Sequence, residues 1–587
     1  MDGLFCSPRL RIAVLAIAFL AIGQGSSAQE IPADGDGSSL DLPPLAGGLA
    51  RQLEDAGADV APANDSNAPP VCMCADCQAS ANNPAAPKGR TTCCHGCLLN
   101  WSQIPTIQPM ARPGFFPIPP SQGPAFFTLA DEWMGVCREA PPKSGYAPFA
   151  INAWSFYDAD WRYVDTLPWN EQTCVERLKR IPLNDCLLFS TGGEYWTRYH
   201  HEHNSRLTQT TNTFHLQKFR AYGDLSYSDW LRVYGEYVWA DSFGEDLSPV
   251  PPDVDRGDLH NLFIDVKLLE HCGKPVYVRV GRQELQYGSQ RLITPLPWAN
   301  KRHAFEGVKV FRKGEKWDID AFWTQYVPPQ AGTFDRADEN RVFAGGWLTY
   351  RPEKGKFLDF YYLMFDNDNP STQQGIVRSP FETHTVGSRW AGDKDGLLWD
   401  FEGAIQFGEQ GGSDVFAGMA TAGIGRSWKD HCYSPTLWLY YDYASGDNTP
   451  GTGDVNTFNQ QFPFGHYYMG WMDLVGRQNI HDVSVHYYVY PRPWMTVWMQ
   501  YHHFWLDQST DALYNAGGVA YRRDPTGNSG TNVGNEIGLV VNFHLTRYSD
   551  ILASYNKLFG GSFMERTAGA NAATDAETLY LMFQQRW

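Results

Sequence analysis

Long apolar runs are nearly absent from this chain of 587 residues. The one uninterrupted apolar stretch of note is residues 12–22, near the amino terminus. No segment reaches the roughly 20 consecutive apolar residues of a transmembrane helix. We therefore expect any membrane-spanning segment to be a β-strand, because only helices and closed barrels satisfy the backbone inside lipid.

Positive charge and enzyme motifs are also scarce. The chain has 47 Lys and Arg against 65 Asp and Glu, which gives a net charge of −18. This balance argues against nucleic acid as a partner. The sequence has no G-x-S-x-G elbow and no H-E-x-x-H pair, and neither C-x-x-C is followed by His, so haem attachment is not indicated. We expect no enzyme activity.

Cysteines are concentrated in the amino-terminal third of the chain. After residue 187 only Cys272 and Cys432 occur, whereas six cysteines lie between residues 72 and 97. The four with zinc-ribbon spacing are Cys74, Cys77, Cys94 and Cys97. Four thiolates could close a structural zinc site, but disulfides are favoured because the periplasm is oxidising. No other cofactor is expected.

The amino terminus has the features of an export signal. Arg9 and Arg11 precede the apolar stretch and Ala28 follows it, which predicts cleavage at Ala28/Gln29. A membrane anchor is the alternative, but the stretch is short. The predicted organisation is a signal peptide at 1–28, a flexible linker at 29–70, a Cys-rich segment at 71–100, an irregular periplasmic lead-in at 101–186 and a β-barrel at 187–587.

The carboxyl terminus reads as the closing strand of a bacterial outer-membrane barrel. In residues 579–587, Leu579, Leu581, Phe583 and Trp587 fall on one face of an extended strand, and the last residue is aromatic. Such a strand must pair with the first one so that no edge stays open in lipid. We expect the outer-membrane assembly machinery to read it.

Upstream of this strand, extended runs alternate with turns. Counting the runs predicts about 18 antiparallel strands, with short periplasmic turns and long extracellular loops. The long connections are predicted to include residues 242–257, 328–340, 366–381, 445–478, 507–532 and 559–574. A soluble propeller is the alternative, but no repeat of about 40 residues is visible. The aromatic content of 14% suits the girdles of an outer-membrane wall.

Charged residues fall on one parity of each strand, which predicts a polar lumen. The predicted basic, pore-lining set is Arg198, Lys218, Arg220, Arg232, Lys267, Arg279, Arg282, Lys309 and Arg389. The acidic set of the later strands is Asp359, Asp400, Glu402, Asp442, Asp482 and Glu536.

Walls of opposite sign would create a transverse field and select anions, and arginine suits carboxylates. The alternative is structural pairing on one strand face, as in Glu194/Arg198, Arg232/Glu236 and Asp265/Lys267. A bulge near Gly281 would decide whether Arg279 or Arg282 faces the lumen.

Four segments in order carry a family resemblance: 178–198, 280–292, 441–473 and 535–559. They include Leu-Lys-Arg-Ile-Pro-Leu and Val-Gly-Arg-Gln-Glu-Leu. Together they resemble the alginate export family, over roughly residues 160–587. The resemblance implies an 18-stranded outer-membrane barrel that conducts anionic polysaccharide through a basic constriction. The chain departs from the alginate-secreting porin of that family, whose lumen is plugged by a long, late periplasmic turn. Here the turn at 546–549 is minimal.

We therefore expect a porin that passes anionic polysaccharide or acidic sugars, with outer-membrane lipid as its surroundings. One alternative is a structural or adhesion protein. Another is an outer-membrane hydrolase that uses His486, His502 and Asp482.

Acidic loop residues could also bind Ca²⁺. The candidates are Asp447, Asp454 and the pair Asp366/Asp368. Solvated acids are the commoner state of such loops, so no calcium site is predicted.

Overall fold

The structure is a computed structural model. It describes residues 91–92, 128–137, 155–159, 161, 164–165, 167–170 and 172–587. Within the last range, positions 354, 429–430, 432, 434, 493 and 547 are not described. The predicted signal peptide, the linker and the cysteines Cys74, Cys77, Cys94 and Cys97 lie outside the described residues. The zinc and disulfide hypotheses therefore stay predictions.

Eighteen antiparallel strands close into a barrel. They are β1 Leu187–His203, β2 Asn212–Tyr227, β3 Leu231–Phe243, β4 Asp255–His271, β5 Lys274–Gln283, β6 Ala304–Lys313, β7 Trp317–Val327, β8 Arg341–Tyr350, β9 Lys356–Gln373, β10 Ile376–Lys394, β11 Leu397–Gln410, β12 Ser413–Ser427, β13 Thr436–Ala444, β14 Ile480–Arg492, β15 Met495–Leu506, β16 Asn532–Thr546, β17 Ser549–Gly560 and β18 Ala576–Arg586. The predicted fold class is confirmed.

The closing seam joins β18 to β1. Their register runs from Glu577 opposite His203 to Arg586 opposite Glu194. Trp587 and Gly193 then exchange two backbone hydrogen bonds of 3.1 Å. Every edge of the wall is thus paired, which a sheet in lipid requires.

Side chains alternate along the strands as the dyad pattern predicts. In β18, Leu579 and Leu581 are exposed on the outer face, whereas Tyr580 and Met582 are buried inside. Val483 and Asp482 show the same contrast in β14. The apolar parity therefore faces outward and the charged parity faces the lumen.

The connections alternate in length, with one departure from the prediction. Residues 366–381 are not a loop: β9 and β10 continue through most of this range and are joined by a tight turn at Gln374 and Gly375. Both turn residues have positive φ, 49° and 75°, as a two-residue hairpin turn requires. The sequence pattern predicts a loop here because this part of the hairpin is polar on both faces and shows no apolar alternation.

Two connections fold into the barrel and pack against the inward-facing side chains of its strands to form the core. Loop L3 (residues 284–303) was missed as a long connection, and its backbone leaves the wall where β5 ends after only 10 residues. Loop L7 (residues 445–479) carries a short helix, Gly465–Tyr468, all of it buried. A third connection, L8 (residues 507–531), contains a small hairpin of Ala512–Tyr514 and Ala520–Arg523.

The described parts of the lead-in are short elements. A helix spans Leu129–Trp133, 3₁₀ turns span Phe156–Asp158 and Glu176–Leu178, and a strand at Ile181–Asn184 pairs with β1. Lys179 Nζ donates to the backbone carbonyls of Thr191 (2.6 Å) and Trp587 (3.1 Å), which ties the lead-in to the barrel seam. No helix among the described residues has the length and hydropathy to cross a membrane.

Candidate functional site: the barrel lumen

Nearly all of the predicted lumenal cations have carboxylate partners. Eight of the nine place a nitrogen within 4.0 Å of an Asp or Glu oxygen. The exception is Arg198, for which no carboxylate oxygen among the described residues lies within that distance.

Lys218 and Arg220 belong to a buried network on β1–β3. Glu194 Oε1 lies 3.5 Å from Lys218 Nζ and 3.7 Å from Arg220 Nη1. Arg220 also binds Glu236, with 2.6 Å between Nη2 and Oε1. Each cation is therefore balanced by a carboxylate, as buried charges must be.

Three further cations lie towards the periplasmic end. Arg232 binds Asp224 at 2.5 Å and Arg279 binds Asp265 at 2.7 Å. Lys267 lies beside the turns and contacts Asp229 at 2.5 Å, an acid that is largely exposed. Lys267 therefore sits at the rim of the wall.

The bulge anticipated near Gly281 is not found: β5 pairs with β4 without a register shift from Arg282 opposite Leu262 to Tyr277 opposite Lys267, and the irregularity lies at Lys267/Leu269. Strand alternation alone separates the two arginines. Arg279 faces the lumen, whereas Arg282, predicted to line the pore, pairs in register with Leu262, an outer-face residue. The Arg282 guanidinium reaches Asp258 at 2.8 Å, at the edge where β5 ends.

The last two predicted cations complete the pattern. Lys309 Nζ lies 3.0 Å from Asp320, and Arg389 lies 2.8 Å from Asp400 and 3.4 Å from Asp359. The ion pairs of the wall run mostly across neighbouring strands. The same-strand alternatives Glu194/Arg198, Arg232/Glu236 and Asp265/Lys267 are not among the ion pairs of the described residues.

Arginines from the infolded loops neutralise the acidic wall. Arg291 of L3 lies 2.7 Å from Asp400 and 2.9 Å from Glu402, and Arg477 of L7 binds Asp442. Sequence reasoning missed both arginines as lumenal groups. A signal was present in L3, because Glu284–His303 carries several charges and two prolines without strand alternation.

The remaining acids of this wall contact a histidine and a backbone amide. Asp482 is hydrogen-bonded to His502 Nδ1 at 2.8 Å. Glu536 accepts from the backbone N–H of Met472 in L7 at 3.2 Å. The second nitrogen of His502, Nε2, lies 3.0 Å from Gln500 Oε1.

One group of three acids is close enough to suggest a metal site. Asp255, Asp258 and Asp335 converge, but the ammonium of Lys301 from L3 contacts all three and occupies the position of a cation. Burial raises the pKa of Asp335 to about 7. No other group of three or more such side chains occurs in the described part of the chain, so none there contains the candidate calcium ligands Asp447, Asp454, Asp366 or Asp368.

Arg198 opens onto a cavity of about 340 Å³ at the extracellular end, which we call the vestibule. The guanidinium stacks on Trp298 of L3, 4.1 Å from the ring centroid, and donates to the Trp298 carbonyl at 3.2 Å. Its Nε has no hydrogen-bond partner among the described residues. Burial raises the pKa of the nearby Asp253 to about 7, so this acid is partly neutral near physiological pH.

Two histidines line the same vestibule, each with its Nδ1 against a carboxylate. His200 Nδ1 lies 3.0 Å from Glu202, and His466 Nδ1 lies 2.8 Å from Asp473. In both rings Nε2 has no partner within the described ranges. Burial lowers the pKa of His466, so this ring is neutral, donates from Nδ1 and offers Nε2 as an acceptor.

Comparison with known proteins gives a family but no near relative. The sequence profile described as alginate export matches residues 188–576. No curated protein matches.

Solved structures with a similar arrangement include OccD3 (OpdP) and OpdQ of Pseudomonas aeruginosa and OccAB1 of Acinetobacter baumannii. OccD3 is 12% identical with a TM-score of 0.45, OpdQ 13% with 0.46, and OccAB1 11% with 0.46. Each alignment covers 68% of this chain, and 91%, 97% and 96% of the respective structure.

Proposed function

This chain belongs to the alginate export family of outer-membrane proteins, and we propose that its barrel lets anionic saccharides cross the bacterial outer membrane by diffusion. The chain is an outer-membrane channel by family and by its closed barrel. The saccharide class and the residues that favour it are the proposed part. Diffusion requires no turnover chemistry.

The observation that carries the proposal is the unpaired Arg198 in the vestibule. A planar guanidinium matches a carboxylate in shape and charge. Stacking on Trp298 holds the group in place before a solute arrives, so less conformational freedom is lost on binding. Arg198 keeps donors that no described residue uses, in contrast to the wall cations.

The two histidines supply a second feature that suits a sugar. A neutral Nε2 accepts a hydrogen bond from a hydroxyl group. His200 and His466 both line the vestibule with Arg198. A ring that carries one carboxylate and several hydroxyls would therefore meet one cationic donor and two acceptors.

The ion-paired cations of the wall suit the passage of a solute from the vestibule through the rest of the lumen. A channel must bind its solute strongly enough to admit it and weakly enough to release it. Cations whose charge is already balanced, such as Lys309 by Asp320, hold an anion less tightly than an unpaired one does.

The test is current block in planar bilayers. A uronic-acid oligosaccharide and its carboxyl-reduced counterpart are added to the same channel. We expect the acidic form to block more strongly, and Arg198→Gln to weaken that block by about 10- to 150-fold, since a hydrogen bond to a charged group contributes about 1.5–3 kcal/mol.

The matched control is Arg206→Gln. Arg206 lines the same vestibule but is paired with Glu245 at 3.2 Å and the Ser248 carbonyl at 2.7 Å. Equal block by both sugars, or an equal loss in both variants, would refute the proposal.

A further inference from the structure

A short segment of the lead-in lies inside the barrel. Ser155, Phe156 and Tyr157 are buried against residues of β2–β5 and L3, although they precede the first barrel strand by about 30 residues. The segment lies near the end of the barrel where β1 begins, because its neighbour Tyr222 also accepts a hydrogen bond from Lys179 of the lead-in at 2.9 Å. Nothing in the strand pattern of the sequence pointed to it.

Phe156 packs on the wall of β2. Its ring stacks on Tyr222 with 5.0 Å between centroids. The guanidinium of Arg220 lies 4.3 Å from the ring centroid and that of Arg586 lies 5.5 Å away. The ring therefore covers two lumenal cations at the seam side of the barrel.

Tyr157 packs on the next strands. Its ring lies 5.3 Å from Tyr234 and 5.0 Å from Phe263, both in edge-on geometry. The guanidinium of Arg279 lies 4.5 Å from its centroid. The hydroxyl donates to the Glu284 carbonyl at 3.3 Å, at the start of L3.

Ser155 extends the contact to the infolded loop. Its hydroxyl donates to the Glu284 carboxylate, which also binds Arg302 at 2.8 Å and lies 2.8 Å from His260 Nε2. The segment thus bridges the wall of β2–β5 and L3. A cavity of about 530 Å³ adjoins the segment and is lined by Tyr157, Asp158 and the wall residues Asp224 and Asp265.

We propose that residues 155–158 form a plug that narrows the periplasmic half of the lumen. The plug fills space between a wall and a loop that both belong to the conduction path. It also screens Arg220 and Arg279 from any solute. This inference goes beyond the proposed function, because it concerns the width of the pore and holds for any solute.

The test is single-channel conductance of the full chain in symmetric KCl. Phe156→Ala with Tyr157→Ala removes both rings, and we expect conductance to rise roughly twofold or more, since constrictions set the current through a pore. The control is Trp169→Ala, which removes an exposed aromatic of the same lead-in and should leave conductance unchanged. Heat-modifiable migration on gels verifies that each barrel is assembled. An assembled double variant with wild-type conductance overturns the proposal.

A second measurement covers the case in which the double variant fails to assemble. Tyr157→Cys and Trp169→Cys are exposed to a membrane-impermeant maleimide, and labelling is read by peptide mass spectrometry to separate it from the exposed Cys174, Cys186 and Cys272. We expect labelling at position 157 to be at least several-fold slower than at 169. Equal rates overturn the plug. Because neither test uses a saccharide or a salt gradient, their failure is distinct from failure of the proposed selectivity.

Discussion

Buried arginines have different partners in the lumenal wall and in the vestibule. In the wall, Arg279 faces Asp265 at 2.7 Å. In the vestibule, Arg198 is equally buried but rests on an aromatic ring and a carbonyl, with no carboxylate within 4.0 Å among the described residues. A buried cation costs stability unless it is balanced. The comparison separates cations that hold the barrel together from one whose charge remains available to a solute.

The largest expected effect comes from opening the barrel that contains both regions. Deleting residues 583–587 removes the last pairs of the β18–β1 seam, including Arg586 opposite Glu194. We expect loss of heat-modifiable migration and accumulation of periplasmic aggregate, because an open edge cannot persist in lipid. Normal assembly of the shortened chain would show that closure does not depend on this seam.

Breaking an ion pair of the wall should have the next largest effect, on the unfolding free energy of the barrel. Asp265→Asn leaves the Arg279 charge buried and unbalanced, and we expect a loss of about 3–5 kcal/mol in unfolding free energy. Adding Arg279→Gln to it should restore much of that loss. Urea unfolding of the assembled barrel in lipid measures both. A double variant no more stable than the single one would argue against pairing as the role of Arg279.

A smaller effect is expected from the pH response of the vestibule. Burial raises the pKa of Asp253 to about 7, so lowering the pH from about 8 to 6 adds a proton and removes negative charge near Arg198. Anion preference, read as the reversal potential in a KCl gradient, should therefore increase as the pH falls. Asp253→Asn should flatten this response, whereas an unchanged slope would assign the titration to another group.

Acids at the extracellular end and outside the lumen should have almost no effect. Asp366, on the half-exposed part of β9, and Asp454, in L7, carry part of the chain's net charge of −18, but charges in contact with solvent are screened over a Debye length of about 8–10 Å. Replacing both with Asn should leave the reversal potential almost unchanged at physiological salt. A shift as large as that of a lumenal variant would mean that the loops, and not the lumen, set the preference.

Local sequence pattern was sufficient for the wall. The parity of Leu579 and Leu581 against Tyr580, or of Val483 against Asp482, depends only on the two-residue period of a strand. The strand count and the closing role of the terminus follow from the same pattern and from turn spacing. These predictions needed no information about which distant segments meet.

The infolded loops were beyond such reasoning, because their positions depend on tertiary contacts. Arg291 and Arg477 reach Asp400 and Asp442 only because L3 and L7 enter the lumen. The environment of Arg198, which contacts an aromatic ring and a carbonyl in place of a carboxylate of the described residues, likewise depends on Trp298, which is 100 residues away in L3. Sequence parity placed Arg198 correctly in the lumenal set, but it could not distinguish it from the paired cations. Its role in selectivity stays a prediction.

The central claim is that an unpaired lumenal cation sets anion preference and a balanced pair does not. Reversal potentials in a KCl gradient test it on Arg198→Gln and on the pair-neutral variant Lys309→Gln with Asp320→Asn. The first should move towards cation preference, while the second should match the wild type, because it removes one charge of each sign. Lys309→Gln alone should also move the reversal potential towards cation preference, since it removes one positive charge from the lumen. An unchanged potential in Arg198→Gln, or an equal shift in the pair-neutral variant, would contradict the account.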